Sequence, residues 1–302
     1  MSPLERRALS QDLTRLANAN LRQALELDVR PAETCPLIGV TGPPGVGKST
    51  LIARLALRRV TQAGLAILAI DPTSPISGGA ILGDRIRMAE LVDDTRIFIR
   101  SIATRASSDG LADNLPLLVE RMAAAGFGEI VLETAGVGQV EYAVRAMVDT
   151  MVLVLSPASG DQIQAMKSGI IETPDILAIN KADLPGADRI AMDIRSVVRH
   201  RTPTPDSWSP PIIQLSAEQS SGIDDLSAAI DAHRVWLAGH PSQERQRAWR
   251  IQVVRGLVSR RVGELLRVLP KSTLEQPLRQ VVDQIAKTLT PTNRSRCLDE
   301  SP

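Results

Sequence analysis

The stretch LIGVTGPPGVGKSTLIARLALRRV, residues 37–60, constrains this chain more than any other. An apolar run leads in, an amphipathic run leads out, and Gly42, Gly45 and Gly47 punctuate the G-x-x-x-x-G-K-S turn between them. A loop of that composition between a strand and a helix is a phosphate cradle. The glycines let the backbone curl until its N–H groups face an anion, and a helix starting near Lys48 adds its positive end. Gly42, Pro43, Pro44, Gly45, Val46, Gly47, Lys48, Ser49 and Thr50 are therefore the expected phosphate-binding set. Lys48 would reach the β- and γ-phosphates, and the Ser49 hydroxyl would ligate Mg²⁺. The competing reading, a glycine-rich turn that merely resembles the pattern, has to disregard both flanking elements.

Such a loop needs a sheet behind it. Short apolar runs alternate with longer amphipathic stretches: LIGVTG, LAILAID, RIFIRS, EIVLETAG, MVLVLSP, ILAINKAD and PIIQLSA. Buried strands with helices between them make an α/β fold with a doubly wound, mostly parallel sheet, whose ligands bind at the carboxyl ends of the strands. Leu9, Leu13, Leu16, Leu21 and Leu25 stand at helical spacing ahead of Pro31 and Pro36. The expected organisation is an N-terminal helical extension over 1–36, a nucleotide domain over 37–240, one or two amphipathic helices over 241–288 and a loose tail over 289–302. Residues 202–211, TPTPDSWSPP, read as a loop before the last strand.

Three acidic residues stand at or near strand ends: Asp71, Asp84 and Glu133. In a phosphate-loop protein the acid ending a neighbouring strand holds Mg²⁺, directly or through water. A helix cap ahead of Pro72 is the competing reading for Asp71, and a surface ion pair with Arg85 or Arg87 for Asp84. Gly136 is placed to give its N–H to the γ-phosphate, a bond whose loss on hydrolysis would release the loop. Val137 occupies the position where a water-orienting Gln would serve hydrolysis, and Gln139 lies two residues on. Slow intrinsic turnover, raised by a rearranged loop or a partner, is expected.

The run ILAI ends in Asn180, Lys181, Ala182 and Asp183. A carboxylate at Asp183 accepts from guanine N1–H and the 2-amino group, donors that adenine lacks, so adenine is rejected. Lys181 would lie along the base and Asn180 would brace the loop. Ser216 and Ala217 follow the next apolar run, where a backbone N–H can meet guanine O6. Together these select GTP and GDP over adenine nucleotides.

Composition excludes other classes. A net charge of +1 gives no basic field for nucleic acid or a membrane surface. Aromatics at 2% leave few platforms for stacking bases. No run approaches the roughly 20 apolar residues that span a bilayer. Glu5 and Asp12 argue against a transit peptide. Cys35 and Cys297 lie near opposite ends, which fits a reducing, cytoplasmic setting.

GPPGVGKST, AIDPTSPISGGAILGDRIRM, LETAGVGQVEYAV, PASGDQIQAMKSGI and NKAD closely resemble the MeaB/ArgK-type GTPases of the SIMIBI class. The resemblance covers most of residues 37–240. It implies a GTPase chaperone for an adenosylcobalamin-dependent acyl-CoA mutase, typically methylmalonyl-CoA mutase, that gates cofactor loading and protects the enzyme. It also implies a mobile third switch over 161–167, in which Gln164 and Lys167 act when the mutase binds, and a homodimer formed through residues 245–285. For these two segments a solvated helix start and helices packed on their own sheet are the competing readings. The chain departs from the family at IATRASSDGLADN, where a glycine-rich loop is expected, and at ETAGVGQVEY in place of ETVGVGQSE. A metallochaperone of the same class would need Cys or His clusters, whereas His200, His233 and His240 are scattered and no C-x-x-C exists. A nucleotide-dependent scaffold with negligible turnover is the third possibility, motivated by Val137.

Overall fold

In the computed structural model the described residues are 1–19, 23–24, 35–72, 88–91, 93–104, 114–134, 144–157, 173–199, 207–241 and 243–289. The chain forms two compact units, Met1–Gln252 and Val253–Pro302.

The first unit is built on seven strands: β1 (Leu37–Thr41), β2 (Leu65–Pro72), β3 (Ile97–Thr104), β4 (Glu129–Thr134), β5 (Thr150–Leu155), β6 (Ile176–Ile179) and β7 (Ile212–Gln214). All pair in parallel, in the order β3-β2-β4-β1-β5-β6-β7. The seven apolar runs of the sequence are these seven strands. Strands β1, β4, β5 and β6 are buried at every position, which is why their sequences are continuous apolar runs and not alternations. The chain leaves β1 toward β2 and β3 on one side and later builds β5, β6 and β7 on the other. The reversal sits at β1, so the crevice at its carboxyl end is the place a ligand is bound in such sheets.

Helix α1 (Pro3–Ala17) opens with a reciprocal capping box between Ser2 and Glu5. It buries Leu9 and Leu13 and covers the edge strand β3. Arg6 donates to the carbonyls of Thr95 and Ile97 at 2.9 and 2.6 Å, occupying acceptors that an edge strand would otherwise offer to another chain. The helix ends sooner than leucine spacing predicts: Asn18 closes it at Ala17, its side chain donating to Thr14 O at 2.8 Å. Residues 23 and 24 are helical again, while Leu21 and Leu25 lie outside the described residues. Helices α2 (Lys48–Arg59), α3 (Leu115–Ala123), α4 (Ala187–Arg199) and α5 (Ile223–Gly239) flank the sheet. Cys35 is buried and free, its thiol donating to Phe127 O at 3.1 Å; burial pushes its pKa up to about 11.

Among the described residues after 240, three helices form where one or two were expected: α6 (Gln243–Val268), α7 (Lys271–Leu274) and α8 (Leu278–Leu289). Pro270 and Pro277 break the apolar pattern into these pieces. Within the second unit Val254, Val258, Val268, Leu278 and Val282 are exposed. No helix among the described residues is long and apolar enough to cross a membrane.

A polar and aromatic cluster closes the amino-terminal end of the sheet. His233 on α5 is fully buried, with Nδ1 2.9 Å from Thr150 Oγ1 and Nε2 3.4 Å from Asp175 Oδ1. Asp175 accepts from Arg145 at 3.0 Å and from the Met151 N–H at 2.8 Å, and its carbonyl accepts from Trp208 Nε1 at 2.7 Å. Burial pushes the His233 pKa down to about 4, and the Arg145 and Arg245 guanidiniums push the same way. An unfolded His titrates near 6.5. Falling pH therefore protonates the unfolded chain first, and the folded state loses stability between about pH 6.5 and 4, by on the order of 2–3 kcal/mol. Replacing His233 by Gln should flatten that part of the stability curve; urea unfolding of both proteins at pH 7 and pH 4.5 measures the difference.

Candidate nucleotide-binding site

The phosphate loop joins β1 to α2 as its sequence demands. Gly42, Gly45 and Gly47 have φ of 146°, 77° and 91°. At Gly42 a Cβ would stand 2.2 Å from the Val154 carbonyl oxygen of β5, so the loop rests backbone-on-backbone against the neighbouring strand. At Gly47 a Cβ would stand 2.5 Å from Asn180 Nδ2. A side chain at either position would push the loop off the carboxyl edge of the sheet. Helix α2 begins at Lys48, so its first N–H groups and positive end face into the loop.

Lys48 and Ser49 are buried. The Lys48 ammonium donates to Gly42 O at 2.8 Å and to Pro43 O at 3.0 Å, curling back over its own loop. The Ser49 hydroxyl donates to Glu133 Oε1 at 2.8 Å, joining the first turn of α2 to the end of β4. Glu133 is 6% exposed and carries the only charge of this buried pair. A hydroxyl and a carboxylate are hard oxygen donors, and Mg²⁺ characteristically takes one or two protein oxygens and completes its shell with water and phosphate. The two side chains thus fit that ion.

Asn180 follows β6 and is 2% exposed. Its Nδ2 donates to Val46 O at 2.8 Å, and its Oδ1 accepts from the Ala217 N–H at 3.0 Å. The two partners fix the amide orientation, since one can only accept and the other only donate. Lys181 adopts φ 58° and extends its ammonium to Gly45 O at 2.9 Å. Loops following β1, β6 and β7 are thereby tied into one body. Asp183 is exposed beside them.

Ser216 and Ala217 follow β7. Their amides are already engaged: Ser216 N–H bonds Ser221 O at 3.0 Å, and Ala217 N–H bonds Asn180. The pair braces the base-side loop from within. Ser221, which returns the bond to Ser216 at 3.1 Å, is a supporting residue that no motif marks. Asp71 lies in β2 with its backbone paired to Ala103. Asp84, Gly136, Val137, Gln139, Gln164 and Lys167 lie outside the described residues.

Known proteins are similar to this chain in sequence and fold. A protein of Pyrococcus abyssi named as a GTPase is 38% identical over 258 residues, covering 81% of this chain and 77% of its own. The mouse methylmalonic aciduria type A homolog, mitochondrial, is 37% identical over 216 residues, covering 69% of this chain and 52% of its own. Among solved structures, one titled LAO/AO transport system kinase superposes with a TM-score of 0.59 at 22% identity, covering 96% of this chain and 99% of that one, which establishes a shared fold. The sequence family described as methylmalonyl Co-A mutase-associated GTPase MeaB matches residues 13–270. That match takes in every loop of the nucleotide site together with the helices on either side of the sheet, and the chain therefore belongs to the MeaB family of GTPases.

Proposed function

We propose that this GTP hydrolase serves as a nucleotide-driven chaperone for an adenosylcobalamin-dependent acyl-CoA mutase, methylmalonyl-CoA mutase in the first instance, gating cofactor loading and protecting the enzyme. The observation that carries this reading is the family match over 13–270, whose description couples the GTPase to that mutase. The structure adds a physical reason for a partner. The loops that would grip phosphate and base are pinned to each other by Asn180 and Lys181. A cradle so rigid binds but does not report, so the response to hydrolysis falls to the neighbouring segments, where Gly136, Asp84 and residues 161–167 stand in sequence. Residues 241–288 are proposed as a dimerisation arm, a role supported by the exposed Val254, Val258, Leu278 and Val282.

In this reading the N–H groups of the loop over 42–50, Pro43 and Pro44 having none to give, surround the β-phosphate. Lys48 exchanges its two carbonyl partners for the β- and γ-phosphate oxygens, where charge develops as water attacks in line. Ser49 and Glu133 hold Mg²⁺, with Asp71 and Asp84 as further acids on that side; the ion supplies neutralisation of phosphate charge. Asp183 accepts from guanine N1–H and the 2-amino group, while the Lys181 stem lies along the base. Val137 orients no water, so the chain alone turns over slowly and the partner completes the site.

Lys48→Ala should lower GTP turnover by at least about a hundredfold while leaving the fold intact, because it removes a charge needed in the transition state; steady-state phosphate release with circular dichroism as control measures both. Asp183→Asn should weaken GTP binding at least about tenfold and favour xanthosine triphosphate, whose 2-oxo group accepts from the new amide; a competition titration reads the switch. Asn180→Ala leaves a buried carbonyl and a buried N–H without partners, at about 1–3 kcal/mol each, and should cost both nucleotide affinity and melting temperature. GTP hydrolysis should rise at least about tenfold on adding the methylmalonyl-CoA mutase of the same organism, equivalent to about 1.4 kcal/mol of transition-state stabilisation. A rate indifferent to the mutase removes the reason for choosing that partner.

A further inference from the structure

Helix α2 and strand β4 are fastened to each other at both ends, and only one fastening belongs to the nucleotide motifs. At the top, Ser49 bonds Glu133. At the bottom, Arg59 in the last turn of α2 grips Glu129 in the first position of β4, with Nε to Oε1 at 2.7 Å and an Nη2 bond to Oε2 at 2.6 Å. The same guanidinium donates from Nη1 to Ser227 Oγ at 2.8 Å and Ser227 O at 3.1 Å, and from Nη2 to Asp231 at 2.9 Å, both residues on α5. Every one of its five N–H donors is used. The Arg59 and Glu129 side chains are 6% and 9% exposed.

The two spans agree in length. Ser49 to Arg59 is ten helical steps, ~15 Å at 1.5 Å each. Glu129 to Glu133 is four strand steps, ~13 Å at 3.3 Å each. Apolar packing alone holds a helix on a sheet but resists sliding along it weakly, because dispersion contacts are nondirectional and exchange readily. A planar fork is directional: a slide of about 1 Å spoils both of its bonds at once. Burying this charge costs desolvation energy that a well-packed apolar pair would avoid, so its yield is geometry more than stability.

We propose that Arg59 is a positioning residue of the GTPase site: its fork on Glu129 sets the longitudinal register of β4 against α2, and thereby the separation at which Glu133 meets Ser49. This rests on the reading of Ser49 and Glu133 as the Mg²⁺ side of the site. Its signature is a change in how much Mg²⁺ strengthens nucleotide binding, with the metal-free affinity left alone.

The test uses the full chain and a fluorescent GDP analogue, titrated in Mg²⁺ and in EDTA, with thermal unfolding in EDTA alongside. Wild-type protein should bind more tightly in Mg²⁺. Arg59→Gln should lose at least about threefold of that gain while its affinity in EDTA stays within about twofold. Arg59→Lys, which keeps the charge but not the fork, should melt closer to wild type and still lose Mg²⁺ gain, and it carries the test if Arg59→Gln does not fold. In Ser49→Ala, adding Arg59→Gln should change the Mg²⁺ gain no further. A lowered melting temperature with the full Mg²⁺ gain retained in both Arg59 variants overturns the proposal and leaves the fork a structural clamp. A wild-type affinity indifferent to Mg²⁺ overturns the metal reading of Ser49 and Glu133, and this inference with it.

Discussion

One side-chain amide holds the site together. Asn180 receives the Ala217 N–H on one side and gives its own N–H to Val46 on the other. Without it the loops after β1, β6 and β7 would keep only the Lys181–Gly45 bond and the Ala182–Leu215 backbone bond between them, and more ordering entropy would be lost when a ligand arrived. With it they form one rigid rim, and Gly47 has to lack a side chain because the amide occupies that space. The motif at 42–49 and the motif at 180–183, over a hundred residues apart in sequence, are therefore one mechanical object.

In the proposed function, the Lys48 ammonium and the Glu133 carboxylate are held by partners that a nucleotide and its metal would replace. Lys48 sits on two carbonyls of its own loop, and Ser49 sits on Glu133. Lys181, in contrast, has a partner at Gly45 O that a base lying along its stem leaves undisturbed. The site is thus prepared on the base side and convertible on the phosphate side. Hydrolysis chemistry needs that asymmetry, because charge changes only at the phosphate end.

Much of this could be read from residues alone. The seven apolar runs became seven parallel strands because buried parallel strands have no polar face to interrupt the pattern. The glycines at 42 and 47 announced a tight loop because nothing else tolerates their backbone. Other features left no such trace. Leucine spacing continued past Ala17, yet a local hydrogen bond from Asn18 ended the helix. Ser216 and Ala217 were marked as backbone donors, but the partners their amides meet, here Ser221 and Asn180, are set by tertiary structure. Arg59 and Glu129 read as an ordinary helix end and strand start; only their meeting across 70 positions gives them meaning. The prolines at 270 and 277 were visible, but how many helices they would divide was a matter of geometry.

The scarcity of aromatic residues has an optical consequence. Trp208 and Trp236, two of the chain's three tryptophans, lie in the cluster around His233, with ring centroids 5.8 Å apart. That cluster closes the amino ends of β5 and β6, whereas nucleotide loops crown their carboxyl ends. Ultraviolet emission from these two indoles therefore watches the floor of the sheet, a strand's length from the phosphates. Any change in that emission when a nucleotide is added would be a signal carried through the body of the sheet, not a local quench, and would make the protein's own tryptophans a gauge of how far binding is felt.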